Sequence, residues 1–330
     1  MGMKENIYYW KKSLEFPEPV ADPFYSFDEL IVTDGKLIKK VERLRELIIS
    51  YCVLSEKNVD AASEILNEIY DIMVSIDNIQ YTEFVAFWKT LDISYSVFEK
   101  LLNQKAILKE LLQKYCERRR ELYDKMGYTN ITVQALYDVG SSRKKGASGI
   151  DKIIDIIKSN IGSVPHAKDI NALIKSSTAC FFPDKGDKTL FRLFCEKMRI
   201  KYSFGKYHQG KEPDIVLKIN NKFFIIEAKH IKESGGAQDK QIVELIEFIR
   251  YSERLDNVHY ISFMDGVYFN NFSWVKDGDE TKVNKQKRAI EKYLANNPKN
   301  FFVNTKGLLF LFRDIKNNVK SRLYGKRNKK

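Results

Sequence analysis

The chain has 330 residues, a formal net charge of +12, 44% apolar residues and 30% charged ones. That length allows two modest domains, and the apolar content allows each a buried core. No apolar run approaches the roughly 20 residues of a membrane-spanning helix, and the start, MGMKENIYYWKK, lacks the apolar stretch of a secretion signal, so the expectation is a cytoplasmic protein with no membrane partner. The positive excess points to a polyanionic partner, because Lys and Arg replace the counterions condensed on a phosphate backbone. Four cysteines without a CxxC pair, beside only four histidines, argue against a zinc site of ordinary spacing. Cys52, Cys116, Cys180 and Cys195 are expected as reduced, mostly buried thiols.

The first part of the chain has helical period. Leu37, Ile38, Val41, Leu44, Leu47 and Ile48 mark a helix over Lys36 to Leu54, and Ala61, Ile65, Ile69 and Ile72 another over Asn58 to Ile76. A long helix is expected from Ser94 to Lys125. These are amphipathic bundle helices, so residues 1–140 are expected to form a mainly α-helical N-terminal domain serving recognition or dimerisation. Residues 141–149 are rich in Gly, Ser and positive charge and form a linker or loop. Arg143, Lys144 and Lys145 either contact phosphate there or line a solvated hinge.

From Ile150 the pattern alternates. Helices are expected at Ile150 to Ser159, Thr189 to Arg199, Asp239 to Arg250, Lys282 to Ala295 and Lys306 to Ile315. Strands are expected at Asp214 to Lys218, Lys222 to Ala228, Val258 to Met264 and Phe301 to Asn304. The mixture defines an α/β domain over 150–315. Residues 316–330 carry seven Lys or Arg and no acid, and are expected to form a disordered basic tail that adds nonspecific phosphate affinity.

The chemistry concentrates between Glu212 and Lys229. Asn220-Asn221 separates two apolar runs, and Asn tolerates positive φ, so a two-residue hairpin turn is expected there. With Ile219 facing Lys222, Asp214 falls opposite Glu227. Directly opposed residues share a face, with Cα atoms roughly 4.5–5.5 Å apart. Period-two alternation puts Lys229 on that face too, roughly 6.6 Å along the strand. Opposed carboxylates repel unless a cation sits between them, and such hard oxygen ligands suit Mg²⁺, with Mn²⁺ as a substitute.

Pro213-Asp214, then Glu227-Ala228-Lys229 at the end of an apolar strand, resembles the signature of the PD-(D/E)xK nuclease superfamily. The likeness runs from about Thr189 to Met264. His230 to Gln241, with its Gly235-Gly236 pair, resembles the segment after the catalytic strand in some type II restriction endonucleases. The resemblance implies a restriction-endonuclease-like core, a mixed sheet flanked by helices. It implies Asp214 and Glu227 as metal ligands, the Ala228 carbonyl as an auxiliary ligand, and Lys229 as the residue that orients or deprotonates water. It points to Glu196, on the preceding helix, as a further acidic ligand. It further implies site-specific Mg²⁺-dependent hydrolysis of double-stranded DNA, a homodimer, and a cognate DNA methyltransferase as system partner.

Blander readings stand beside these. Lys229 can instead pair across the hairpin with Glu212. Glu196 can form an ordinary ion pair with Arg192 one turn earlier. Gln238 lies either near the site, as a DNA contact, or simply at the start of the next helix. His208 is expected to be a loop histidine without a role, with phosphate contact as the alternative, and His230 points away from the Lys229 face. A repair or junction-resolving nuclease of the same superfamily, or a noncatalytic DNA-binding protein, fits the same residues.

Overall fold

The computed structural model describes residues 3–20, 22–25, 35–76, 79, 82–91, 93–118, 149–233, 235–276, 278 and 280–327. The basic loop with Arg143, Lys144 and Lys145 lies outside them. The chain divides into two units, Met1–Ser26 with Ala147–Lys330, and Phe27–Gly146. The helical unit expected to start at residue 1 therefore starts at Phe27, while its far boundary, between Gly146 and Ala147, falls within the expected 141–149 linker. Met1–Ser26 supplies helix α1 (Asn6–Glu15) to the unit that contains the sheet. Tyr9 and Trp10 of α1 are buried there, and the Tyr9 hydroxyl donates to Asp314 at 3.0 Å.

The Phe27–Gly146 unit is helical: α2 (Gly35–Leu54), α3 (Val59–Ser75), α4 (Glu83–Trp88), α5 (Tyr95–Phe98) and α6 (Gln104–Arg118). Asn58 and Thr82 cap α3 and α4 by accepting the Ala61 and Val85 N–H groups. The periodic residues Leu37, Val41, Leu44, Leu47 and Ile48 form the buried face of α2. The single helix expected from Ser94 is broken between α5 and α6. Leu102, within that stretch, is fully exposed, and Gln104 Nε2 donates back to the Glu99 carbonyl at 2.8 Å. Cys52 and Cys116 form a disulfide with Cα atoms 5.7 Å apart, which corrects the expectation of four free thiols. Helix packing brings α2 against α6, a proximity that sequence spacing does not register.

In the other unit a five-stranded mixed sheet runs in the order β1 (Thr178–Phe181), β2 (Ile215–Ile219), β3 (Lys222–His230), β4 (Val258–Asp265), β5 (Phe301–Val303). The first three strands pair antiparallel and the last two join in parallel. Helices α7 (Gly149–Asn160), α8 (Ile170–Lys175), α9 (Lys188–Met198), α10 (Ser203–Tyr207), α11 (Gly236–Phe248), α12 (Asn271–Trp274), α13 (Lys282–Asn296) and α14 (Thr305–Arg327) complete it. Helix α14 runs to Arg327, so the break expected at residue 315, and a disordered stretch immediately after it, are not observed.

Strand alternation sorts the core into two faces. Ile215, Leu217, Phe224, Ile226, Ile261 and Phe263 pack with α1, α7 and α14. Val216, Phe223, Ile225, Val258 and Tyr260 pack with α9, α10 and α11. Gly307 lets α14 cross α1 closely, because a Cβ there would collide with Ser13 Oγ and approach the Tyr9 carbonyl. Among the described residues no helix is long and apolar enough to cross a membrane.

Candidate active site

The β2–β3 hairpin carries the expected register. Ile219 faces Lys222 and Ile215 faces Ile226, with Asn220 at φ 54° in the turn. Asp214 immediately precedes β2, and its Oδ2 accepts the Ala228 N–H at 2.7 Å. Asp214 is 8% exposed and Glu227 0%. Both backbone groups of one strand residue face the same neighbour. The Ala228 carbonyl therefore faces the side where β2 has already ended, toward Asp214.

Lys229 Nζ meets Glu227 Oε1 at 2.5 Å. It does not bridge to Glu212, whose ion pair is with Lys188 at 3.9 Å. Lys211, in the loop before β2, reaches the same Glu227 oxygen at 2.5 Å and also pairs with Glu244 of α11. Among the described residues Glu227 Oε2 is buried with no hydrogen-bond partner. The Tyr202 hydroxyl is likewise buried and without a partner among the described residues.

The electrostatics are opposed across this cluster. Burial and the charge of Glu227 push the Asp214 carboxyl up to about 6, against the pull of Lys229 and the Ala228 N–H. For Lys229 burial works downward, but Glu227 and Asp214 outweigh it and its pKa rises. For Lys211 burial prevails over the attraction of Glu227, helped by repulsion from Lys229, and its pKa falls. Burial and the charge of Glu227 raise the Tyr202 phenol.

The residues present fit a divalent ion. Asp214, the unpartnered Glu227 Oε2 and the Ala228 carbonyl form an oxygen-only donor set of the kind Mg²⁺ takes. Among the described residues no group of three or more His, Cys, Asp and Glu side chains is placed to hold a metal. An ion there would rely on two carboxylates plus backbone.

The structure does not bring Glu196 to the pair. Leu190, Phe191 and Phe194 form the buried face of α9, and Glu196, two residues past Phe194, turns to the exposed side. Gln238 sits in the first turn of α11, with its Oε1 against Gly235. His208 caps α10, stacks on Phe204 with centroids 4.1 Å apart and lies 3.1 Å from Glu247. His230, on the opposite face from Lys229, lies 3.1 Å from Asp265 and against Tyr25.

Lys211, Glu244 and Tyr202 were not legible as site residues. Lys211 and Tyr202 lie outside strands and follow no period. The one available signal for Glu244 was its place on the next helix after Lys229. The chain matches no family model, and no curated protein or solved structure matches it.

Proposed function

We propose that the chain is a Mg²⁺-dependent endonuclease acting on double-stranded DNA, with its mixed sheet serving as a restriction-endonuclease-like core. The observation that carries this reading is the buried, unpartnered oxygen of Glu227, set beside Asp214 and held against the Lys229 ammonium. A protein interior tolerates such an oxygen poorly unless something binds it, and a carboxylate pair answers to a cation. The formal charge of +12 favours a polyanionic substrate.

Asp214, Glu227 and the Ala228 carbonyl would hold the ion, and Mn²⁺ would substitute for Mg²⁺. When bound, the ion neutralises phosphate charge and lowers the pKa of a water. Asp214 is fixed for its role by the Ala228 N–H. Lys229 is held against Glu227 by a 2.5 Å ion pair. From there it would orient or deprotonate water and offset charge growing on the phosphate.

Site-specific cleavage of the type II restriction kind, a homodimer and a partner methyltransferase rest on the motif's resemblance alone. Incubation with plasmid and phage DNA tests the finer reading. Discrete fragments in Mg²⁺ are expected. A smear would exclude site specificity, and intact DNA under all metal conditions would favour a noncatalytic DNA-binding protein.

A further inference from the structure

Lys211 is a second ammonium at this site and stands outside the sequence motif. It lies three residues before Asp214, in the loop between α10 and β2. Its nitrogen is 2.5 Å from Glu227 Oε1, an oxygen already met by Lys229 at 2.5 Å. The same nitrogen pairs with Glu244 of α11. One cationic centre therefore touches carboxylates from two separate elements, as a bound metal ion would. The Lys211 side chain keeps 27% exposure while that of Glu227 has none, so the ammonium reaches the buried carboxylate from the solvent side.

A divalent ion arriving at Glu227 would face two ammonium groups on one carboxylate oxygen. Like charges at such separations repel strongly in a partly dry site. The ion would take the free Oε2, yet the two ammonium groups on Oε1 of the same carboxylate would repel it, and the two differ in what they can fall back on. Lys211 has Glu244 as a second anionic partner, whereas the ion pair of Lys229 is with Glu227 alone among the described residues.

We propose that Lys211 is the resident cation of the metal-free site, displaced from Glu227 by the incoming divalent ion and retained by Glu244 at the mouth, where it meets the phosphate of bound DNA. The proposal rests on the metal-binding reading of Asp214 and Glu227. It assigns Lys211 two successive tasks: neutralising Glu227 before metal arrives, and positioning the phosphate afterwards.

Two measurements without DNA test it. The first is calorimetric titration with Mn²⁺ and Mg²⁺ of the full chain, of Lys211→Met, of Asp214→Asn, and of Lys206→Met as a matched loss of charge on the exposed side of α10. Removing the resident competitor should tighten ion binding about ten-fold or more in Lys211→Met, with Lys206→Met unchanged. The second is amine labelling read by mass spectrometry. Saturating Mg²⁺ should raise the labelling rate of Lys211 in the unaltered protein, leave that of Lys206 constant, and produce no rise in Asp214→Asn. Equal or weaker ion binding in Lys211→Met, equal tightening in Lys206→Met, or Lys211 labelling indifferent to Mg²⁺ would overturn the proposal while leaving an Asp214-dependent metal site intact. Absence of Asp214-dependent ion binding in every protein would overturn both this proposal and the reading it rests on.

Discussion

Asp214 illustrates how a buried carboxylate works against its own fold. Its carboxyl is pushed up to about 6 from an ordinary 3.8. The folded state thus holds the proton more tightly than the unfolded chain between those values. The resulting penalty is absent below pH 3.8, grows as pH rises to 6, and is fully present above it. At neutral pH it is worth roughly 3 kcal/mol. Asp214→Asn keeps an oxygen for the Ala228 N–H and removes the charge. In EDTA at about pH 8 this variant should melt several degrees higher than the unaltered protein, with the gain vanishing near pH 4. No gain at the higher pH would remove the electrostatic account of the pair. Asp214, Glu227 and Lys229 were legible in the sequence because the Asn220-Asn221 turn and the two-residue strand period together fix a register. Glu196 was misplaced because a helix has a defined buried face, and proximity in sequence does not say which residues share it.

At the scale of elements, the far side of the same strand end is held by a buried ion network. Lys152 of α7 lies 3.5 Å from Glu18, 2.5 Å from Asp22 and 3.1 Å from Asp265 at the end of β4. The Tyr25 hydroxyl donates to Asp265 at 2.6 Å, and Glu18 accepts from the Thr305 N–H at 2.7 Å. This network fastens the segment after α1 to α7, β4 and α14. Lys152→Met would leave two fully buried carboxylates and a third beside them without their cation. The expected cost is about 3–5 kcal/mol, read as a lower midpoint in urea unfolding. A loss under about 1 kcal/mol would mean the network is surface-like. None of this was visible in the sequence, since Lys152 lies more than a hundred residues from each of its three carboxylate partners and no period links them. The helices and strands that build the sheet were largely visible, because each buries a continuous face. Strand β1 was missed because Thr178–Phe181 carries Ala179 and Cys180 at its centre, where the even shorter β5 has Phe and Val of stronger strand preference. Helix α1 was missed because its buried residues, Asn6, Tyr9, Trp10 and Ser13, mix polar with aromatic side chains.

For the molecule as a whole, the sequence showed a helical part and an α/β part but not the way the chain is shared between them. Met1–Ser26 joins the α/β unit through contacts nearly 300 residues away in sequence, such as Asn6 Nδ2 donating to the Leu294 carbonyl at 2.8 Å. The Cys52–Cys116 disulfide closes a separation of 64 residues in the helical unit, a constraint worth about 4 kcal/mol in the chain-entropy account. Helical period alone could not reveal it, because period shows a buried face without showing its neighbour. The function proposed for the α/β unit requires Asp214 and Glu227 to hold a divalent ion for phosphodiester hydrolysis. The most direct test is the rate of plasmid cleavage by the purified chain in Mg²⁺, in EDTA, and in Mg²⁺ with Asp214→Asn or Glu227→Gln. Cleavage in Mg²⁺ should be abolished by EDTA and reduced at least about a thousand-fold by either substitution, with both variants still folded. Cleavage that persists in EDTA, or survives either substitution, would contradict the account.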